Sequence, residues 1–454
     1  MVKKGSEFMA GKVVPMTEGP IWKRIIYFAM PIFIGNLFQQ LYNTVDSLIV
    51  GNYLGSNALA AVSSSGSMIF LLVGFLSGLA AGAGVVIARY FGAGDIERLK
   101  RAIHTTVALG FIAGIFMTVT GVIMSPHILR WIGTPEEVMP NSVLYLGIFF
   151  GGSLGLVLYN TFVGILQAVG DSRHPLYYLI ASSVINLILD IIFIKYLHFG
   201  VEGAAIATVL AQFISAIMCF TLLLRSEDVY RVSIKEIKID KAIAAQVLKI
   251  GLPSGVQNSI ISIANIVVQS NVNSFGAMAM AGVGAYEKIE GFGFLPINSF
   301  NLALSTFVGQ NLGAREFERT RKGASFGIIM TVVMAEVIGV IIFTFAPHLI
   351  AAFDSTPEVI EFGVLKARTS TLFFCLLAFS HGVAAVLRGS GRAVVPMIVM
   401  FAFWCVVRVT FLTIAVPLTG SIFTVYMVYP MTWFLSSVAF LIYYIKADWM
   451  GDFK

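Results

Sequence analysis

Twelve stretches of this chain are apolar for more than twenty residues each. A bilayer's hydrocarbon core is about 30 Å thick, and a helix needs about 20 mostly apolar residues to cross it. The runs are 23–51, 58–91, 102–124, 140–168, 175–196, 203–224, 243–273, 281–311, 323–346, 358–387, 394–417 and 420–446. Several are longer than a crossing requires, so those helices are expected to tilt, kink or project beyond the lipid. Of 454 residues, 57% are apolar and 12% charged, whereas a soluble domain carries about 25% charged residues. So few charges cannot cover a water-facing surface, and lipid must be the main solvent. The fold class expected is an all-α polytopic membrane protein with twelve transmembrane helices.

The Lys and Arg residues of the short loops set the orientation. Arg98, Lys100 and Arg101 follow span 2, and Arg173 follows span 4. Arg225, Arg231, Lys235, Lys238 and Lys241 follow span 6. Arg315, Arg319, Arg321 and Lys322 follow span 8, and Arg388 and Arg392 follow span 10. On the opposite side Arg130 is the single clear basic residue. The alternation predicts a multi-pass protein of the cytoplasmic (inner) membrane with both termini in the cytoplasm. The net charge of +6 is then loop bias. No basic face with interleaved aromatics lies outside the lipid, so nucleic acid is not an expected partner.

The connection Arg225–Ala242 divides the chain into halves that align with each other. Phe91-Gly92-Ala93 answers Leu312-Gly313-Ala314, and Glu97-Arg98 answers Glu318-Arg319. Pro126 answers Pro347, Thr134-Pro135-Glu136 answers Thr356-Pro357-Glu358, Leu166 and Gly170 answer Leu387 and Gly391, and Pro175 answers Pro396. The offset stays at 221–222 residues. Six spans is an even number, so both halves enter from the same side, as parallel repeats do. Two such lobes leave a central cleft that rocking exposes to alternate sides. The expected organisation is a leader 1–20 (disordered or added for expression), an N-terminal lobe 21–225, a connection 226–242, a C-terminal lobe 243–446 and a tail 447–454. Within the leader Gly5-Ser6-Glu7-Phe8 looks like a cloning scar, with Met9 or Met16 as the natural start, and no apolar segment with a cleavage site reads as a signal peptide.

The matched turns also carry a resemblance. Gly164-Ile165-Leu166-Gln167-Ala168-Val169-Gly170-Asp171 and Val386-Leu387-Arg388-Gly389-Ser390-Gly391-Arg392 follow spans 4 and 10. With Ala88-Arg89-Tyr90-Phe91-Gly92-Ala93-Gly94 and Gly309-Gln310-Asn311-Leu312-Gly313-Ala314, they resemble the repeated motifs of the MATE (multidrug and toxic compound extrusion) transporters, over about residues 20–446. The resemblance implies two six-helix lobes in a V. It also implies export of small amphipathic, often cationic, compounds by an antiporter driven by protons or sodium, with no cofactor.

An ionisable side chain inside a span costs about 2.5–3.5 kcal/mol on insertion scales and is a functional candidate by default. Asp46 lies in span 1, Asp190 in span 5 and Thr208 in span 6, each about five or six residues from the outer end, hence on the order of 8 Å deep. Asn186 is one turn from Asp190, and Gln39, Asn43 and Asp46 share a face of span 1. Two adjacent carboxylates away from water suit a proton site, and the same oxygens suit sodium, so no metal is assigned with certainty. Pro31 supplies a bendable point in span 1. The resemblance points the same way: its proton-coupled prokaryotic branch has an acid in helix 1, Asn and Asp one turn apart in helix 5 and a Thr in helix 6, which Asp46, Asn186, Asp190 and Thr208 match. At the repeat offset Asp46 maps to Val267 or Val268, and Asp190 to Phe411 or Leu412, so the site is not duplicated. Some sodium-coupled relatives place acids in helices 7 and 10. Span 7 has none, and Glu358 and Glu361 sit at the entry of span 10, which favours protons.

In the C-terminal half Lys288 and Glu290 (span 8), Arg368 (span 10) and Arg408 (span 11) lie at similar depth and are expected to pair or to contact substrate. Glu287 is expected to face elsewhere, and Glu336 and His381 read as packing residues. The cleft lining is drawn from Gln39, Tyr42, Asn43, Tyr159, Asn160, Gln257 and Asn258, each of which also suits interhelical packing. Cys219, Cys375 and Cys405 sit in apolar runs without metal-type spacing. The competing readings are a flippase or exporter of lipid-linked or polar metabolites, expected to have a strongly cationic cleft, and a membrane-embedded enzyme. No paired His or Cys and no nucleotide loop supports the enzyme. The protein is expected to be a monomer.

Overall fold

In hydrocarbon a backbone has no water to bond, so each crossing must satisfy its own N–H and C=O groups, which a helix does. The computed structural model describes residues 15–54, 56–131 and 134–451. They form twelve helical segments: α1 Ile21–Leu54, α2 Ser56–Gly92, α3 Ile96–Trp131, α4 Met139–Gly151 continuing as Ser153–Val169, α5 Arg173–Asp190 continuing as a π segment Ile191–Tyr196, and α6 Val201–Arg225. The second half repeats the set as α7 Lys241–Asn273, α8 Ala277–Gly313, α9 Phe317–Ala351, α10 Pro357–Ser370 and Phe374–Gly389 joined by a 3-10 turn, α11 Val394–Thr419 with a π segment Phe401–Val407, and α12 Ile422–Lys446. Nine segments are long and apolar enough to cross a bilayer, and a tenth if the two pieces of α4, bent by 47°, are one crossing. The other two, α7 and α8, fall short of that apolarity, and both pack on the N-terminal lobe. Large apolar side chains such as Phe116, Ile123 and Leu418 point outward from the bundle, where lipid is the solvent.

The duplication extends to the irregularities. Helix α4 breaks at Gly152 and α10 at Thr371–Phe373, repeat-related positions. Gly170 and Gly391 both take left-handed conformations (φ 104° and 82°) that end α4 and α10, and the next N–H groups, Asp171 and Arg392, reach back to Leu166 and Leu387, as in Schellman-type endings. The turn after α2 uses Gly94 at φ 67°, while its counterpart after α8 is Arg315 at φ 60°. A side chain in that region costs about 1–2 kcal/mol. Arg315 is exposed, so Arg315→Gly should stabilise the protein by about 0.5–1 kcal/mol, read as a higher thermal midpoint in detergent.

The lobes meet where α2 lies against α7 and α8, and α1 against α8. Gly78-x-x-x-Gly82 crosses Gly251-x-x-x-Gly255. A Cβ on Gly78 would strike the backbone of Ser254 and Gly255, and one on Gly82 the backbone of Val247 and Gly251. Small residues spaced four apart permit this approach. At the loop end Gln310 of α8 donates to the Ala168 carbonyl of α4 (2.8 Å). The Tyr90 hydroxyl donates to Gln246 (2.9 Å). The Arg89 guanidinium packs on Gly391.

The ends of the chain correct the expected organisation. Residues 1–14 and 452–454 lie outside the described part, but the rest of the expected leader and tail is folded. Met16 is buried between α1 and α8. Its N–H donates to Gln310 Oε1 (2.8 Å), and Arg319 Nη2 donates to its carbonyl (2.9 Å). Trp449 and Met450 pack into the C-terminal lobe. The connection 226–242 docks on α3, where Ser233 N–H donates to His104 Nε2 (2.9 Å) and Asp240 N–H to Thr105 Oγ1 (3.0 Å).

Candidate functional site

Asp46 and Asp190 come together. Their carboxyls lie within hydrogen-bonding reach of one another, and none of the ion pairs among the described residues involves either. Asp190 is 0% exposed and Asn186 1%. Both Asp190 oxygens, Asp46 Oδ1 and both polar atoms of Asn186 are buried without a hydrogen-bond partner. An unpartnered buried polar atom costs about 1–3 kcal/mol, so five at one place mark a site that takes up something exchangeable. The Tyr42 hydroxyl lies near Thr208 and the acids, and Tyr145 lies within the acids' electrostatic reach. The π segment of α5 starts at the residue after Asp190. Such segments occur often at functional sites, because the extra residue in the turn shifts the register of what precedes it.

Between the lobes is a cavity of about 510 Å³. Tyr42, Asn186 and Thr208 line it, so the acid pair stands one layer behind its wall. Of the residues expected at the cleft, Gln39, Tyr42, Tyr159, Asn160, Gln257 and Asn258 line the cavity. Asn43 does not: it is on the exposed side of α1. The Asn258 amide donates to the Gly74 carbonyl across the lobe boundary (2.8 Å), and Gln257 reaches Met400 Sδ (2.9 Å), so both also fix packing. Asn36, Gln167, Gln212, Asn298, Asn301, His381 and Arg388 are lining residues that the sequence reading did not place there. His381 stands edge-on to Phe294 and Trp404 (centroids 6.3 and 5.3 Å), so it is packed as expected and also faces the cavity.

The charge group of the C-terminal lobe has a different membership from the one expected. Lys288 and Arg368 are exposed, and Arg368 lies over Phe343 (5.8 Å). The buried cation is Lys366, 3% exposed, whose ammonium sits 3.4 Å from the Tyr429 ring centroid and 5.2 Å from that of Tyr426. Residues 366 and 368 are about 200° apart around a helix, so equal depth did not mean a shared face. Arg408, 1% exposed, donates to Asn265 Oδ1 (3.1 Å) and Thr432 Oγ1 (3.0 Å) and covers Tyr429 (4.6 Å). Glu290 accepts from the Tyr286 hydroxyl (3.1 Å) and lies within electrostatic reach of Lys366 and Arg408. The π segment of α11 ends at the residue before Arg408, so in both lobes a π segment abuts a buried charge. Glu287 is exposed. Glu336 accepts from the Cys375 N–H (2.8 Å) at the break in α10, where the interrupted helix leaves a donor free. Among the described residues no three His, Cys, Asp or Glu side chains cluster as metal ligands.

The family profile named MatE matches residues 31–192 and 253–414, once in each half. The Bacillus subtilis protein named "Probable multidrug resistance protein YoeA" is 29% identical over 395 residues, 85% of each chain. The Staphylococcus aureus (strain MSSA476) "Multidrug export protein MepA" is 24% identical over 392 residues, 84% of this chain and 85% of that one. Among solved structures, a multidrug resistance MATE family transporter of the MOP superfamily, in an outward-facing conformation, superposes with a TM-score of 0.91 at 25% identity, over 98% of this chain and 99% of that one. A MOP superfamily transporter from Pyrococcus furiosus gives 0.89 at 25% identity over 95% and 97%.

Proposed function

The chain belongs to the MatE family of multi-span membrane transporters, and from that premise we propose that it is an antiporter exporting amphipathic organic compounds against an inward flow of protons. Two halves matched by one profile, closed against each other at one end, have the geometry of alternating access. With the basic loops in the cytoplasm of a bacterial cell membrane, as their charge bias favours, the closed end is the inner one.

The observation that carries the coupling is the buried, unpartnered pair Asp46 and Asp190. Two carboxyls in contact, with no Lys or Arg pairing either, need a proton or a cation between them. Tyr42, Asn186 and Thr208 separate the pair from the cavity. Loading the pair changes which of these side chains donate and which accept, and so changes the wall that a substrate touches. Arrival of a proton from outside releases the cargo, and loss of the proton inside restores the wall for the next molecule. The proton is favoured over sodium because the two carboxyls face each other directly, so one proton satisfies both.

The test uses purified protein in liposomes loaded with a fluorescent amphiphile. A proton gradient imposed in sodium-free buffer should drive transport at the full rate, and a sodium gradient at uniform pH should not. Transport that appears only with sodium would overturn the proton assignment.

A further inference from the structure

The cavity wall has a polarity that the coupling reaction does not use. Its described lining holds many amides and hydroxyls, one guanidinium, one imidazole and no carboxylate. The basic groups are Arg388 and His381, two turns apart on one face of α10. Their repeat counterparts, at the offset of 221 residues, are Gln167 and Asn160 on α4, and these line the same cavity. The four residues thus face one another across the duplication axis, amides on the N-terminal side and basic groups on the C-terminal side. The N-terminal amides are neutral, and the Asn160 amide is already turned back to the Leu156 carbonyl (2.9 Å).

Among the described residues Arg388 meets no acid, and its Nε is buried without a hydrogen-bond partner. The end of a helix attracts cations to its free carbonyls, which would be a sufficient structural role if this nitrogen reached one. It does not. The side chain is half-buried, and the one nitrogen shut off from solvent is left unpaired, which is costly. Arg388 lines the cavity together with Ser305, Thr306 and Gln167, and the next residue, Gly389, packs on the Ser305 carbonyl.

We propose that this part of the wall is an acid-recognising subsite, in which Arg388, with His381 above it, receives a carboxylate or phosphate group of the exported compound. The proposal rests on the export reading for the word exported, but binding can be measured without transport. A planar guanidinium offers paired donors to such a group, and the apolar remainder of the cargo lies along Tyr159, Leu176 and Leu179. A cargo bearing only positive charge finds no opposite charge on the described wall. The preferred class is therefore amphiphiles with an acidic group, zwitterions included.

The experiment compares rhodamine B with its ethyl ester, which differ in the free carboxylate alone, by equilibrium binding to the purified protein in phosphatidylcholine nanodiscs. Wild type should bind the acid at least about tenfold tighter, the ratio expected of one charge-assisted bond. The preference should shrink as salt rises. Arg388→Gln should bring the ratio to about one. Equal binding of acid and ester by wild type overturns the proposal without any variant, and so does a ratio that survives in Arg388→Gln. If that variant does not fold, Arg388→Lys replaces it: the point charge remains but the paired donors go, and an undiminished ratio again overturns the proposal. Adding phosphatidylglycerol separates the sources of the anion. Displacement of rhodamine B supports a lipid headgroup in the subsite, and none supports a soluble acid. Failure of the proton-driven assay with the acid preference intact would sink the coupling reading and leave the subsite standing.

Discussion

Asp190→Asn should reduce gradient-driven efflux to the leak of protein-free liposomes while the protein remains folded. The substitution is nearly isosteric, so packing around the residue is preserved. It removes the second carboxyl and gives Asp46 an amide donor in place of a shared proton. The site is then satisfied permanently in a single state. A coupling site needs two states of similar free energy, and this change removes one of them. The thermal midpoint in detergent should stay the same or rise, because a buried carboxyl pair is replaced by an acid–amide hydrogen bond. Binding of substrate at equilibrium should weaken, since the amide donor stands in for the proton whose arrival releases the cargo. Efflux at the wild-type rate from Asp190→Asn vesicles would remove the residue from the mechanism, and loss of folding would show that its role is structural. Asp46→Asn should give the same pattern through the other member of the pair.

Gly82→Val is the second large effect. At Gly82 the α2 backbone touches the α7 backbone near Val247 and Gly251, leaving no side chain to move aside. A valine must separate the lobes or bend a helix. Overpacking costs about 1–3 kcal/mol, equivalent to about a 5- to 150-fold loss of the closed arrangement. Transport should fall by a similar factor. Cross-linking between cysteines placed at Tyr90 and Gln246, whose side chains bond across the boundary in the closed form, should fall with it. A variant that transports normally with cross-linking intact would show that the glycines are not needed for closure.

Both sites differ in how far the sequence reveals them. Asp46, Asn186, Asp190 and Thr208 could be found because a polar group in an apolar run is costly and its depth follows from counting residues. The halves could be aligned because their turns need particular residues, such as a left-handed Gly at 170 and 391. Rotational position was not legible in the same way. Lys366 and Arg368 have nearly equal depth but face opposite sides of α10, and only packing decides which is buried. The π segments beside Asp190 and Arg408 have no sequence signature, since any residue can occupy the extra position. The crossed Gly78–Gly82 and Gly251–Gly255 pairs were legible in principle as small-x-x-x-small spacings on helices from different halves. The leader misled because its resemblance to an added segment was taken to run on to residue 20. Met16 is apolar and buried, and its backbone is held by Arg319 from the other lobe.

The closing contacts at the loop end have a further implication. Arg89 and Gln310 occupy equivalent positions in the two halves. Each crosses to the end of the other half's fourth helix, Arg89 onto Gly391 and Gln310 onto Ala168. That is the reciprocal pattern of an isologous contact, in which one patch meets its own copy about a two-fold axis. The molecule is closed there as a homodimer would be, by self-complementarity, although its halves are covalently joined. In a symmetric dimer any change would strike both copies at once. Fusion allows one copy to acquire paired acids and the other an enclosed lysine and arginine, while the surface that binds the two together stays paired.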